Sequence, residues 1–378
     1  MEKPKGSLIS YFSRMVTRGG GINLAQGKPG FAPPTELLEI LKEKTDTPSL
    51  HQYAPGIGNF KLLEILCRYY SRYLSITEDH LLIVQGATEG IFLSFFYLSK
   101  ILKKPFTVLS FDPDYESYPQ LARVLDVPIE YTEFDEDLKV DFQRLEEILK
   151  QKRIGIMFIA SPGNPLGKVW ERQEISRVIA LAEKYDFYII LDAVYQDLYF
   201  DEPPFNPLAL QSKKLFYVGS FSKMLSITGW RIGYMITTEA HMAALRDIHD
   251  YTGLCAPSIF QEVIAEYLSR FDWGKEYTAD IRRKCKESYL YMRATLEKTG
   301  FRVSHIGGGY FIWAKLPRQY RDAFLFASEL YRKESLGIVP GENFSGTKKD
   351  YVRLNIATDL PITRQAAQRI ERFIKNKN

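Results

Sequence analysis

Between positions 81 and 237 the chain alternates short, uniformly apolar runs with longer amphipathic ones, and this alternation limits the fold more than any other feature. The apolar runs cover 81–84, 106–110, 154–160, 187–191, 215–219 and 232–237. A strand with one wet face alternates polar and apolar residues; these runs do not, so both of their faces are expected to be covered. Segments 88–101 and 172–185 carry helical periodicity between them. Strands separated by helices pair in parallel through right-handed crossovers, which predicts an α/β core with a mostly parallel sheet and helices on both faces.

The tail differs. Helical patterns at 278–299 and 322–333 flank an aromatic run at 309–314 and a second run at 351–356, a mixture that predicts a smaller α+β unit. With 378 residues the chain is long enough for one large domain and one small one. No internal repeat is visible. The formal net charge of +4 and the lack of a basic block give no sign of nucleic-acid binding. Cys67, Cys255 and Cys285 form no C-x-x-C, so neither a disulfide framework nor a metal knuckle is suggested, and a cytoplasmic location is expected. The charged N-terminus is followed by no apolar signal core. The most apolar helical stretch, 91–102, is broken by Ser94, Ser99 and Lys100 and is too short to span a bilayer.

Polar groups gather where the predicted strands end. Run 81–84 leads to Gly86, Ala87 and Thr88; run 106–110 to Asp112, Asp114 and Tyr115; run 154–160 to Ser161 and Asn164. Run 187–191 leads to Asp192 and Tyr195, and run 215–219 to Ser220, Ser222 and Lys223. In an open parallel sheet ligands bind beyond the carboxyl ends of the strands, so these groups are expected to line one crevice. A lysine there can be desolvated and kept partly neutral, as a nucleophilic amine requires. Alone it would more often be a solvated loop residue. Here two serines precede it and Arg231 follows, a group suited to a phosphate. Gly86-Ala87-Thr88 opens a predicted helix, where free N–H groups favour an anion.

The stretch S-F-S-K at 220–223 with T-G-W-R-I-G-Y at 228–234 resembles the lysine motif of fold-type I pyridoxal-phosphate enzymes, the class I/II aminotransferases in particular. Further matches are N-L-A-Q-G-K-P-G-F at 23–31, Y-A-P-G-I-G at 53–58, G-A-T-E-G at 86–90, S-P-G-N-P-L-G at 161–167, D-A-V-Y at 192–195 and V-R-L-N-I-A at 352–357. The resemblance implies a sheet of the seven-stranded type in a large cofactor domain at 46–279. Residues 1–45 and 280–378 would form an N-terminal arm and a small domain.

It also implies roles. Lys223 would hold pyridoxal 5′-phosphate as a Schiff base and shuttle a proton. Asp192 would face the pyridine nitrogen, Asn164 and Tyr195 the ring oxygen, and Tyr115 the ring face. Ala87, Thr88, Ser220, Ser222 and Arg231 would take the phosphate, joined by Tyr53 of the partner subunit in a homodimer. Arg353 would clamp the substrate carboxylate with its planar fork, assisted by Gly27 and Asn164. Read singly, Asp192 could be a strand-end cap, Tyr195 and Tyr115 packing residues, and Arg353 a surface residue; the motifs around them favour the site.

The implied reaction is ping-pong transfer of an amino group between an L-amino acid, neutral or aromatic by preference, and a 2-oxo acid. The alternatives within the family are β-lyase, decarboxylase, cyclopropane synthase and amino-acid oxidase chemistry. Two rivals lie outside it. S-x-x-K at 220–223 with K-T-G at 298–300 also matches serine penicillin-recognising enzymes, but there the serine opens a helix, whereas Ser220 is expected to close a strand. Aminotransferase-like regulators carry an extra N-terminal DNA-binding domain, and here the matches already begin at Asn23. Gly56-Ile-Gly58 lacks the third glycine of a dinucleotide fingerprint.

Overall fold

The structure, a computed structural model, describes residues 3–376. Its main sheet has seven strands: β1 (Leu81–Val84), β2 (Thr107–Asp112), β3 (Ile129–Glu133), β4 (Ile154–Ala160), β5 (Tyr188–Asp192), β6 (Leu215–Ser220) and β7 (Gly233–Ile236). Their order is β1-β7-β6-β5-β4-β2-β3, and only β7 runs antiparallel to its neighbours.

Alternation within the apolar runs explains why both faces are dry. Leu81, Ile83, Met157, Ile159, Ile189 and Leu191 pack into one core, while Leu82, Val84, Ile156, Phe158, Ile190 and Val218 pack into the core on the other face. Successive residues of a strand point to opposite faces, so a run apolar at every position is what two covering layers require. The helix Arg172–Tyr185 has the bounds expected of it, and Ala87–Ile101 starts one residue earlier than expected.

The sequence reading misses β3. Its residues, Ile-Glu-Tyr-Thr-Glu, do not form an apolar run because β3, at the edge beside β2, is largely uncovered, with only Thr132 buried, whereas β1 at the opposite edge is buried throughout. Charged side chains on such an edge discourage pairing with other chains.

A second sheet contains β8 (Arg302–Val303), β9 (Phe311–Lys315), β10 (Val339–Pro340) and β11 (Tyr351–Asn355) in the order β10-β11-β9-β8, all antiparallel. The helices Lys275–Lys298 and Ala323–Glu334 pack on it, and Leu360–Lys375 packs against both of them. This third core also takes in Leu8 and Phe12 of the helix Leu8–Gly19, together with Leu24 and Ala25. Ile22–Asn23 pairs in parallel with Leu336–Gly337, which ties the start of the chain to its end. Among the described residues no helix is long and apolar enough to cross a membrane.

Candidate active site

The cavity lies at the carboxyl ends of β4, β5 and β6 and encloses about 190 Å³. Lys223 projects into it from the single-turn helix Phe221–Met224, which begins where β6 stops. Because β7 returns antiparallel, pairing Gly233 with Ser220, the loop between them stays at this edge of the sheet and brings Arg231 to the same cavity.

The ammonium of Lys223 donates to the Gly27 carbonyl at 2.8 Å. Burial, reinforced by the positive charges of Arg231 and Arg353 and opposed by Asp192, lowers its pKa to about 8. A lysine with that pKa is partly neutral at physiological pH, as nucleophilic and proton-transfer chemistry demand.

Asp192 ends β5 and is 6 % exposed. Burial raises its pKa, while two donors favour its ionised form: the Tyr118 hydroxyl on Oδ2 at 2.8 Å and the Val194 amide on Oδ1 at 3.1 Å. Tyr118 is fixed in turn by stacking on Phe158, with ring centroids 4.5 Å apart and planes within 2°. Tyr115 also lines the cavity and meets Tyr118 edge to face. Tyr195 is buried against Tyr310 and Phe311, which holds its phenol strongly in the neutral form.

Arg353 sits on β11 and is fully buried. Its guanidinium lies between the rings of Phe311 and Phe344, 4.2 and 4.7 Å from their centroids. Nη1 donates to Asn164 Oδ1 at 3.0 Å and Nη2 to the Ala25 carbonyl at 2.6 Å, while Nε has no partner. Burial lowers its pKa to about 10, so it remains a cation at neutral pH. Two positions on, and therefore on the same face of the strand, Asn355 donates to the carbonyls of Gln26 and Lys28. This staple holds the loop bearing Gly27 over the cavity.

At the other end, Gly86 caps the helix Ala87–Ile101 with φ +80°. A Cβ on Gly86 would come within 2.4 Å of Arg231 Nη2, so glycine is needed both for the backbone conformation and for the arginine's approach. The Arg231 guanidinium donates to the Thr228 carbonyl at 3.0 Å. Ser222 Oγ is buried without a partner beside it in the cavity lining.

The structure thus gathers Gly27, Ala87, Thr88, Tyr115, Asn164, Asp192, Tyr195, Ser220, Ser222, Lys223, Arg231 and Arg353 around one cavity. Tyr53 does not line it and is 82 % exposed. The sequence reading missed Tyr118, Asn355, Glu116 and Ile9; only Asn355, inside the V-R-L-N-I-A match, carried a readable signal. One expectation needs correction. Ser220 closes β6 but also caps the helix Phe221–Met224, so it does open a short helix. The penicillin-enzyme reading gains nothing from this, because Ser220 Oγ donates to the Ile232 carbonyl at 3.2 Å and accepts from the Ser222 amide at 3.1 Å.

Comparison with known proteins agrees with this geometry. The family model described as aminotransferase class I and II matches residues 20–370. The aspartate aminotransferase of Thermotoga maritima is 28% identical, with 94% of this chain and 92% of that protein aligned. An aromatic-amino-acid aminotransferase of Thermococcus litoralis is 24% identical over 95% and 92% of the two chains. The crystal structure of Thermus thermophilus aspartate aminotransferase with maleate superposes with a TM-score of 0.89 at 22% identity, covering 98% of this chain and 97% of that one. The chain belongs to the class I and II aminotransferases.

Proposed function

We propose that the protein is a pyridoxal 5′-phosphate-dependent aminotransferase, cytoplasmic and homodimeric, that acts on L-amino acids with non-acidic side chains, neutral or aromatic by preference. The observation that carries this reading is the meeting, in one cavity, of a depressed-pKa lysine, a buried carboxylate and a buried guanidinium.

The residues fit the cofactor. The unpartnered Ser222 hydroxyl, Ser220, Arg231 and the first N–H groups of the helix at Ala87 and Thr88 form a cradle for a phosphate, and a Cβ at Gly86 would intrude on it. Asp192, whose ionised form the Tyr118 hydroxyl and the Val194 amide favour against burial, suits a protonated pyridine nitrogen. Asn164 and Tyr195 would face the ring oxygen, and Tyr115 the ring. When bound, pyridoxal 5′-phosphate supplies an electron sink conjugated to the substrate amine.

The chain's own groups do the rest. Arg353 binds the substrate carboxylate, its attraction for an anion less screened in the buried site and its guanidinium packed against Phe311 and Phe344. Lys223 anchors the cofactor, and its neutral amine then takes the proton from the substrate Cα. The preference for non-acidic side chains follows from the cations lining the cavity: Lys223, Arg231 and Arg353 each have a task, which leaves none for a second carboxylate. Three cysteines without disulfides agree with a reducing compartment, and the exposed Tyr53 with a shared site in a dimer.

The test is a panel of amino acids offered to purified protein with pyridoxal 5′-phosphate and a 2-oxo acid acceptor. Formation of the matching 2-oxo acid, with the amino group recovered on the acceptor, is expected. Release of ammonia or consumption of oxygen in place of transfer would overturn the reaction assignment.

A further inference from the structure

Glu116 also lines the cavity, one residue beyond Tyr115, and neither the chemistry of amino transfer nor the cofactor cradle uses it. Its Oε1 accepts a hydrogen bond from the Ser7 hydroxyl at 3.0 Å, just before the helix Leu8–Gly19. Ile9, on that helix's first turn, lines the same cavity, as does Tyr115. The carboxylate is half-buried and lies near enough to Arg353 to oppose part of the depression that burial imposes on the guanidinium. Glu116 is the carboxylate of this lining that Asp192's task leaves over, with the apolar Ile9 and the ring of Tyr115 among its fellow lining groups.

We propose that Glu116 determines side-chain specificity: it rejects substrates whose side chain ends in a carboxylate and favours those ending in a neutral hydrogen-bond donor, an amide. The proposal rests on the aminotransferase reading above and names the substrate class for the same site. A distal carboxylate would meet a like charge, with no lining cation left to offset it. A donor would meet an acceptor oxygen, since only one of the two oxygens of Glu116 is used by Ser7. Specificity of this kind arises as much from repulsion of the wrong ligand as from attraction of the right one.

Glu116→Gln tests this cleanly, because glutamine keeps an Oε1 that can accept from Ser7 while losing the charge. Steady-state kcat/KM is measured for the near-isosteric pairs glutamine and glutamate, and asparagine and aspartate. The amide-to-acid ratio is expected to fall about tenfold in Glu116→Gln, near the lower end of what one charge pair at ~4 Å gives between the dielectric of water and that of a protein surface. Ser7→Ala removes the hydrogen bond to Glu116 together with the cap on the Ser10 amide but keeps the charge, so its amide-to-acid ratio should match the wild type even if both values fall. Succinamate and succinate, which carry no amino group to transfer, should show the same change in their dissociation constants by calorimetry.

A parallel fall for acids and amides in Glu116→Gln, or an unmoved ratio, would make Glu116 a support for the N-terminal helix and overturn the proposal. A wild-type protein that transfers the amino group of no amino acid would overturn the aminotransferase reading, a failure distinguishable from the first.

Discussion

The reactivity of Lys223 can be read directly as a function of pH. With a pKa of about 8 the amine is about one part in eleven neutral at pH 7; at the ordinary value of 10.5 it would be about one part in 3,000. The neutral fraction therefore rises about 300-fold, mostly because the ammonium is buried and secondarily because Arg231 and Arg353 repel it. Cofactor-free protein treated with trace acetic anhydride across pH 6 to 11, followed by peptide mass spectrometry, reports the neutral fraction of each lysine. Lys61 serves as an internal reference, since its hydrogen bond to Glu262 raises its pKa. Labelling of Lys223 should reach half its plateau near pH 8, while Lys61 follows above pH 10. Asp192→Asn removes the one named charge that favours the ammonium, so its midpoint should move lower still. A Lys223 midpoint near 10, or an upward move in Asp192→Asn, would refute the electrostatic account of the site.

Tyr118→Phe deletes the donor on Asp192 Oδ2 without disturbing the stack on Phe158. Loss of a hydrogen bond to a charged group costs about 1.5–3 kcal/mol, to be read from urea unfolding. The carboxylate loses a group that favours its ionised form, so the acid limb of the kcat/KM profile should move to higher pH; an unmoved limb would show that Tyr118 does not position Asp192. For the proposed homodimer, Tyr53→Ala and Lys223→Ala should each be nearly inactive, yet mixing them in equal amounts after subunit exchange should restore about one quarter of the sites, since a two-fold dimer sharing its sites would place both lesions in one site and leave the other intact. No recovery on mixing would contradict a shared site.

The sequence revealed the strands that lie inside the sheet and the residues at their ends because burial on both faces leaves an unmistakable apolar run. It concealed β3 because that strand is left largely uncovered, only Thr132 being buried, and so is under no such demand. It concealed Tyr118 for a different reason. That tyrosine works through packing against Phe158 and a bond to Asp192, and a chain with 24 tyrosines does not mark which one turns inward. Glu116 and Ile9 meet only because the first helix of the chain folds over a loop more than a hundred residues away, a juxtaposition without periodicity or motif. Ser220 shows the limit of reading one residue in one role, since a strand end and a helix cap coincide there.

The pairing of Ile22–Asn23 with Leu336–Gly337 has a consequence for when the protein becomes chemically competent. The groups that enclose the Lys223 amine come from Gly27 and Arg353, near the two ends of the chain, while the lysine itself belongs to the central sheet. A chain still emerging from the ribosome, with its last hundred residues unmade, has the lysine but neither the enclosing loop's anchor on Asn355 nor the repelling guanidinium. Its amine would be better hydrated and more fully protonated. The depressed pKa of Lys223 thus depends on segments far from it in sequence having docked over the central sheet.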